Sequence, residues 1–331
     1  MEAPRPANLG DLDLSIDRID TASRLIDPVF RDTPQYIDDQ LCAALGRRVI
    51  VKVETANPVR SFKGRGTDFL LTTIEKHVKH VVCASAGNFG QGIAYGARAR
   101  GMKADVFAPA GISPSKLDRI RAFGATVHEA GTTGDEAKAA AAEFAAAAAE
   151  RVLIEDGREP EIAEGAGTIA VELLHGERPD TIVVPLGDGA LITGIARWTK
   201  EFDPEIDIVG VVAAGAPAML HSYRSGRPVP FTGPGTIAEG IDVTTPVPAS
   251  VTRLLHLVDD IVAVPDDALL NAIRLATTTL GLILEPSGAA GLAALIHHDI
   301  PGHTAATILT GSNAHPTHLP PNPGPSTPKP V

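Results

Sequence analysis

One lysine in this chain sits where an ammonium is hard to justify as packing. It is Lys63, in Asn57-Pro58-Val59-Arg60-Ser61-Phe62-Lys63-Gly64-Arg65-Gly66, between a polar turn and a glycine-bracketed step. A buried ammonium needs a partner, whereas an amine held over a carbonyl sheds its charge as a Schiff base. Two glycine-rich segments could complete such a site. Ser85-Ala86-Gly87-Asn88-Phe89-Gly90-Gln91-Gly92 follows the apolar run His80-Val81-Val82-Cys83-Ala84 and leads into a helical stretch over 93–100. Its backbone N–H groups, the Ser85 hydroxyl and the Asn88 amide converge on one point, at a helix start that carries partial positive charge. That suits a carboxylate. Pro185-Leu186-Gly187-Asp188-Gly189-Ala190-Leu191-Ile192-Thr193-Gly194 repeats the plan after a continuous apolar strand over 180–184, with a helix over 195–201. This second cradle suits a phosphate.

Either loop alone also reads as a tight strand-to-helix turn that needs glycine for its dihedrals. Neither is a nucleotide motif. The first lacks the dinucleotide glycine spacing and its acidic partner, and the second lacks the Gly-Lys-Ser/Thr that closes a P-loop. A phosphate held by backbone rather than by a lysine points to a fixed cofactor phosphate. A carbonyl-seeking lysine, a carboxylate cradle and a phosphate cradle together describe a site for pyridoxal 5'-phosphate.

From about residue 12 to 316 the chain resembles the fold type II pyridoxal-phosphate enzymes, in particular their threonine/serine dehydratase branch. In that family Ser-Phe-Lys-x-Arg-Gly carries the Schiff-base lysine, which the resemblance puts at Lys63, with Phe62 beside the cofactor. The Ser-x-Gly-Asn loop matches 85–88. There the asparagine, here Asn88, contacts the pyridine hydroxyl, and the loop of Ser85, Ala86, Gly87, Asn88 and Phe89 binds the substrate carboxylate. The glycine-rich phosphate loop matches Gly187, Asp188, Gly189, Ala190 and Leu191. The late segment whose hydroxyl faces the pyridine nitrogen matches Thr310-Gly311-Ser312-Asn313. A neutral hydroxyl there leaves the ring a weaker electron sink, which favours loss of a β-substituent over transamination.

The resemblance implies an α/β fold of the tryptophan synthase β-like kind, two three-layer αβα domains with the cofactor in the cleft. A small domain over 66–150 would be inserted in a large one made of 1–65 and 151–316, and would close on the substrate carboxylate. The implied activity is an ammonia-lyase that takes a small hydroxy amino acid such as L-threonine or L-serine to a 2-oxo acid and ammonia. In it Lys63 would act as general base, and the cofactor phosphate or a bound water would protonate the departing hydroxyl. The first rival is a β-replacement synthase of the cysteine synthase or diaminopropionate synthase kind, which shares the chemistry upstream of the branch. An inactive binding scaffold is disfavoured by the presence of Lys63, Ser85, Asn88 and Thr310. A homo-oligomer, commonly a dimer, is also implied.

Five positions depart from the family pattern. Ala86 stands where the racemases have a second serine as acid/base, which disfavours racemisation. Asp188 and Ala190 interrupt the glycine run, and an aspartate facing a phosphate should turn outward or meet a cation. Ala213 stands where many relatives have a cation-binding glutamate, so no metal site is expected. Phe89 replaces a common histidine and should reshape the substrate pocket. No regulatory domain is expected after the catalytic region, and hence no feedback control of the biosynthetic type.

Composition is consistent with a soluble cytoplasmic enzyme. The 331 residues carry 29 Lys+Arg against 40 Asp+Glu, a net charge of -11 that argues against nucleic acid. No apolar run is long enough to cross a bilayer, and the start Met1-Glu2-Ala3-Pro4 lacks a signal-peptide layout. Cys42 and Cys83 are too few for a disulfide framework, and the histidines lack zinc-site spacing.

Strand-like and helix-like segments alternate, which implies parallel sheet covered by helices. Strands are expected at 49–53, 81–84, 104–108, 126–129, 152–154, 181–185, 207–213 and 306–309. Helices are expected at 11–30, 66–79, 116–123 (capped by Ser113-Pro114-Ser115), 135–150, 169–175, 266–280 and 289–298. The alanine-rich helix over 135–150 reads as peripheral and without function. Loops are expected over 155–164 and 215–242, and a proline-rich disordered tail over 317–331.

Overall fold

The structure, a computed structural model, describes residues 9–112 and 114–314. The expected Ser113 cap and the 317–331 tail lie outside the described residues. In chain order the strands are β1 (Gln35–Ile37), β2 (Arg48–Val53), β3 (His80–Ala84), β4 (Lys103–Ala108), β5 (Thr126–Glu129), β6 (Arg151–Leu153), β7 (Thr181–Pro185), β8 (Asp207–Ala213), β9 (Asp260–Val264) and β10 (Thr304–Leu309). The helices are α1 (Ile16–Leu25), α2 (Asp39–Leu45), α3 (Lys63–Thr73), α4 (Asn88–Ala99), α5 (Pro114–Ala122), α6 (Gly134–Ala146), α7 (Pro160–Leu173), α8 (Ala190–Phe202), α9 (Ala218–Ser225), α10 (Pro248–Leu257), α11 (Asp266–Thr279) and α12 (Ala290–His297).

They form two sheets. The larger has the order β1-β2-β10-β7-β8-β9, parallel except for the edge strand β1; the smaller, β5-β4-β3-β6, is wholly parallel. Helices cover both faces of each, so the central strands are apolar on both sides. Ile182, Val184 and Ile308 pack with Ile169 of α7 and Ile195 of α8, while Val183, Val209 and Leu309 pack with α11 and α12. In the smaller sheet Val81 and Val106 meet Ile93 and Ala97 of α4, and Val82 and Phe107 meet Ala137, Ala141 and Ala145 of α6. This is the expected α/β architecture. The strand following residue 150, β6, pairs with β3 and so belongs to the smaller sheet.

Several elements differ from the sequence expectation, each for a local reason. The lead-in helix is α1, capped by Ser15 accepting from the Arg18 N–H, and it stops before Pro28 opens a 3₁₀ turn. Helix α7 begins at Pro160 rather than 169, with proline in its first turn, where the missing N–H costs nothing. Gly165 and Gly167 therefore lie inside a helix, not at its entrance. A Cβ on Gly165 would stand 2.7 Å from the Arg65 carbonyl, and one on Gly167 2.9 Å from that of Gly194. Glycine lets α3, α7 and α8 pack backbone to backbone here. The loop over 215–242 contains α9, and the sequence reading missed β1, α2, β9 and α10.

Candidate active site

Helix α3 starts at Lys63, three residues before the expected 66. The preceding segment is zipped to the end of β10: Ser61 bridges Gly311, the Phe62 N–H donates to the Thr310 carbonyl at 3.0 Å, and the Ser312 N–H to that of Arg60 at 3.0 Å. Arg60 turns the chain at a φ of 55°, uncommon for a residue with a side chain. The Asn57 amide braces the turn by donating to the carbonyls of Glu54 (2.9 Å) and Ser61 (3.2 Å). Lys63 and Thr310, near opposite ends of the chain, thereby line one cavity of about 380 Å³.

This cavity opens at the C-terminal ends of the parallel strands, where ligands of such sheets bind. It gathers all the expected residues: Phe62 and Lys63, the loop Ser85 to Phe89, the loop Gly187 to Leu191, and Thr310. The Lys63 ammonium lies 5.0 Å from the Phe62 ring centroid and 5.7 Å from that of Phe89. It pairs with the Asp156 carboxylate, a residue not singled out in the sequence, and the two side chains are 15% and 17% exposed.

The loop Gly187 to Gly189 runs into the first turn of α8, whose Ala190 and Leu191 line the cavity, and a helix N-terminus carries free N–H groups and partial positive charge. Gly189 takes a φ of 99°, a left-handed conformation costly for any other residue. Asp188 is the acidic member of this loop. It lines the cavity, and burial first, then repulsion from Asp156, push its carboxyl up to about 6, with Lys63 and Lys138 pulling the other way. A proton held there, or the neighbouring lysines, would let it coexist with a phosphate.

On the opposite wall, Ser85 directly follows β3 and its hydroxyl accepts from the Gly87 N–H at 3.3 Å, one residue before α4 begins. The Asn88 amide donates to Glu285 at 2.7 Å and accepts from the Asn313 amide at 2.7 Å; the Asn313 N–H donates to the other Glu285 oxygen at 3.0 Å. Burial pushes the Glu285 carboxyl up to about 7, against the pull of those hydrogen bonds. Glu285 and Asp156 are the functional candidates that sequence reasoning missed. Asp156 follows a parallel strand of the smaller sheet at its C-terminal end, a positional signal that could have flagged it.

Helix α6 is not peripheral. Its N-terminus, held by a reciprocal cap between Thr133 and Glu136, brings Gly134, Ala137 and Lys138 to the cavity wall. Lys116 of α5 also lines the wall and pairs with Glu239 of the larger-sheet region.

An amine-bearing cleft between two parallel αβα units is the arrangement of the fold type II class. The family model described as "Pyridoxal-phosphate dependent enzyme" matches residues 26–311. The L-threonine dehydratase biosynthetic IlvA of Pasteurella multocida (strain Pm70) is 34% identical over 288 residues, which are 85% of this chain and 56% of that one. This chain thus spans little more than half the length of that relative. Among solved structures, the T.th. threonine deaminase superposes with a TM-score of 0.86 at 32% identity, covering 91% of this chain and 99% of that one. Maize serine racemase superposes with a TM-score of 0.87 at 26% identity, covering 92% and 95%. The chain belongs to the pyridoxal-phosphate dependent enzymes, on the threonine/serine dehydratase-like branch, and its cofactor is pyridoxal phosphate. The residues present fit that group: a primary amine, a helix N-terminus behind a glycine turn, and a hydroxyl residue, Thr310, on one cavity.

Proposed function

We propose that this chain is an ammonia-lyase that eliminates the β-hydroxyl of a small hydroxy amino acid, L-threonine or L-serine, to give a 2-oxo acid and ammonia. The observation that carries the reading is Lys63, an amine held on the cavity wall between the loop Ser85 to Phe89 and the cradle Gly187 to Leu191. The cofactor, when bound, supplies the electron-withdrawing group that makes the substrate α-proton removable. Lys63 carries it and takes that proton. Gly187, Asp188, Gly189, Ala190 and Leu191 would hold its phosphate, Phe62 and Asn88 would border its ring, and Thr310 would offer its hydroxyl to the ring nitrogen. Ser85, Ala86, Gly87, Asn88 and Phe89 would bind the substrate carboxylate. Ala86 has no proton to give, which supports elimination over racemisation.

Among the described residues no helix is long and apolar enough to cross a membrane. A cytoplasmic location, which rests on composition, and a homodimer, which rests on the family resemblance, complete the proposal; light scattering of the purified protein tests the dimer. The decisive experiment pairs cofactor absorbance with a keto-acid assay. Wild type should be coloured and release 2-oxo acid from threonine or serine, and Lys63→Ala should lose both properties. A coloured wild type that releases keto acid from neither, but consumes β-substituted alanines only when a thiol or amine is added, would turn the assignment to a β-replacement synthase.

A further inference from the structure

A hydroxide is a poor leaving group, so the proposed elimination needs a proton delivered to the β-oxygen. We infer that Asp156 is the catalytic carboxyl that carries it, relaying the α-proton from Lys63 to the departing hydroxyl. This rests on the proposed function and adds to it a residue and a proton path.

The geometry is specific to one carboxyl. Asp156 lines the cavity, and its Oδ2 contacts Lys63 Nζ, the amine that takes the α-proton. Its Oδ1 is buried and has no hydrogen-bond partner. A purely structural ion pair fills both oxygens, as Glu172 does on Arg65 and Lys52. Here one oxygen touches the base and the other is left for a further donor or acceptor. The next residue, Gly157, packs against Asp188: a Cβ on Gly157 would stand 2.9 Å from the Asp188 Cβ, so the Asp156 segment is wedged on the phosphate loop. Asp188 itself lines the same cavity, in the cradle proposed for the cofactor phosphate.

The step balances without any further reactant. Lys63 as free amine accepts the proton from Cα and becomes an ammonium. The electron pair left at Cα forms the Cα–Cβ double bond while the Cβ–O bond breaks. Lys63 passes its proton to Asp156, and Asp156 passes it to the leaving oxygen, which departs as water. Amine and carboxylate end as they began.

β-Chloroalanine separates this role from a structural one, because chloride leaves without a proton. Asp156→Asn in the holoenzyme should lower the kcat for serine about 100-fold or more, and that for β-chloroalanine less than about tenfold. Cofactor absorbance should be retained. Asp156→Glu, which keeps a proton carrier, should recover at least about a tenth of the serine rate. In the cofactor-free chain, acylation of Lys63 by acetic anhydride, followed by mass spectrometry, should be faster in Asp156→Asn because the ion pair is gone. Equal losses on the two substrates, no recovery with glutamate, or an unchanged acylation rate would each overturn the relay while leaving the lyase assignment intact. A wild type that eliminates from neither substrate would overturn both.

Discussion

Two charge clusters begin two residues apart on α3 and are built on opposite plans. Around Arg65, fully buried, every guanidinium N–H has an acceptor: Glu54 at 2.8 and 2.9 Å, Glu172 at 2.6 and 2.9 Å, Thr168 at 2.9 Å and Thr33 at 3.1 Å. Lys52 adds a second cation, 2.6 Å from Glu172. Two cations face two carboxylates, and the set ties β2, α3 and α7 together. Around Lys63 one cation faces Asp156 and, further off, Asp188, and an Asp156 oxygen is left without a partner. The carboxyl groups record the difference. Burial alone would raise Glu172, but the hydrogen bonds and charge of Arg65, with Lys52, hold it down to about 2. Burial also raises Asp188, with no such donors to oppose it, and it stands at about 6. A saturated cluster holds the fold, whereas an unsaturated one leaves capacity for a ligand.

The contrast can be broken first at Arg65. Arg65→Met strands Glu54 and Glu172 and should cost about 3–5 kcal/mol of unfolding free energy, read by denaturant titration. Because the folded Glu172 value of about 2 lies below the ordinary 4.5, its contribution is present above pH 4.5 and lost as pH falls toward 2. The gap between wild type and variant should narrow over that window. Next in size is Gly189→Ala, which forces a side chain into the left-handed region and should cost about 1–2 kcal/mol, read as roughly tenfold weaker cofactor uptake by absorbance titration.

Asp188→Asn should act with the opposite pH sign to the Arg65 cluster. The folded Asp188 value of about 6 lies above the ordinary 3.8, so its charged form costs stability once the pH passes 6 and costs nothing below 3.8. The cofactor-free variant should gain on wild type across that window, by on the order of 1 kcal/mol at neutral pH. Smallest of all is the stability change in Lys63→Ala: its partly exposed pair should contribute no more than about 1 kcal/mol, although colour and activity vanish. A loss as large as that of Arg65→Met would erase the distinction between the clusters.

The motif residues were legible because each depends on local chain: a glycine turn, a helix start, a hydroxyl at a strand end. Glu285 carries no such local mark and Asp156 only its place after a strand, and the convergence of β6 and the segment before α12 on one cavity reveals both. Helix α7 was read too short because Gly165 and Gly167 lower helix propensity. The close approach of three helices, which no single stretch of sequence displays, is what requires them. For α6 the alanine content specified the helix but not its place beside the cavity.

The sequence by itself determined the alternation of strands and helices, the glycine cradles and the lysine proposed to carry the cofactor, because hydrophobic period and turn chemistry act between near neighbours. The tertiary structure alone decided which charges are saturated and which are left open. Burial and hydrogen-bond partners come from residues far apart in the chain, and they set whether a carboxyl such as Glu172 is held down or one such as Asp188 is pushed up.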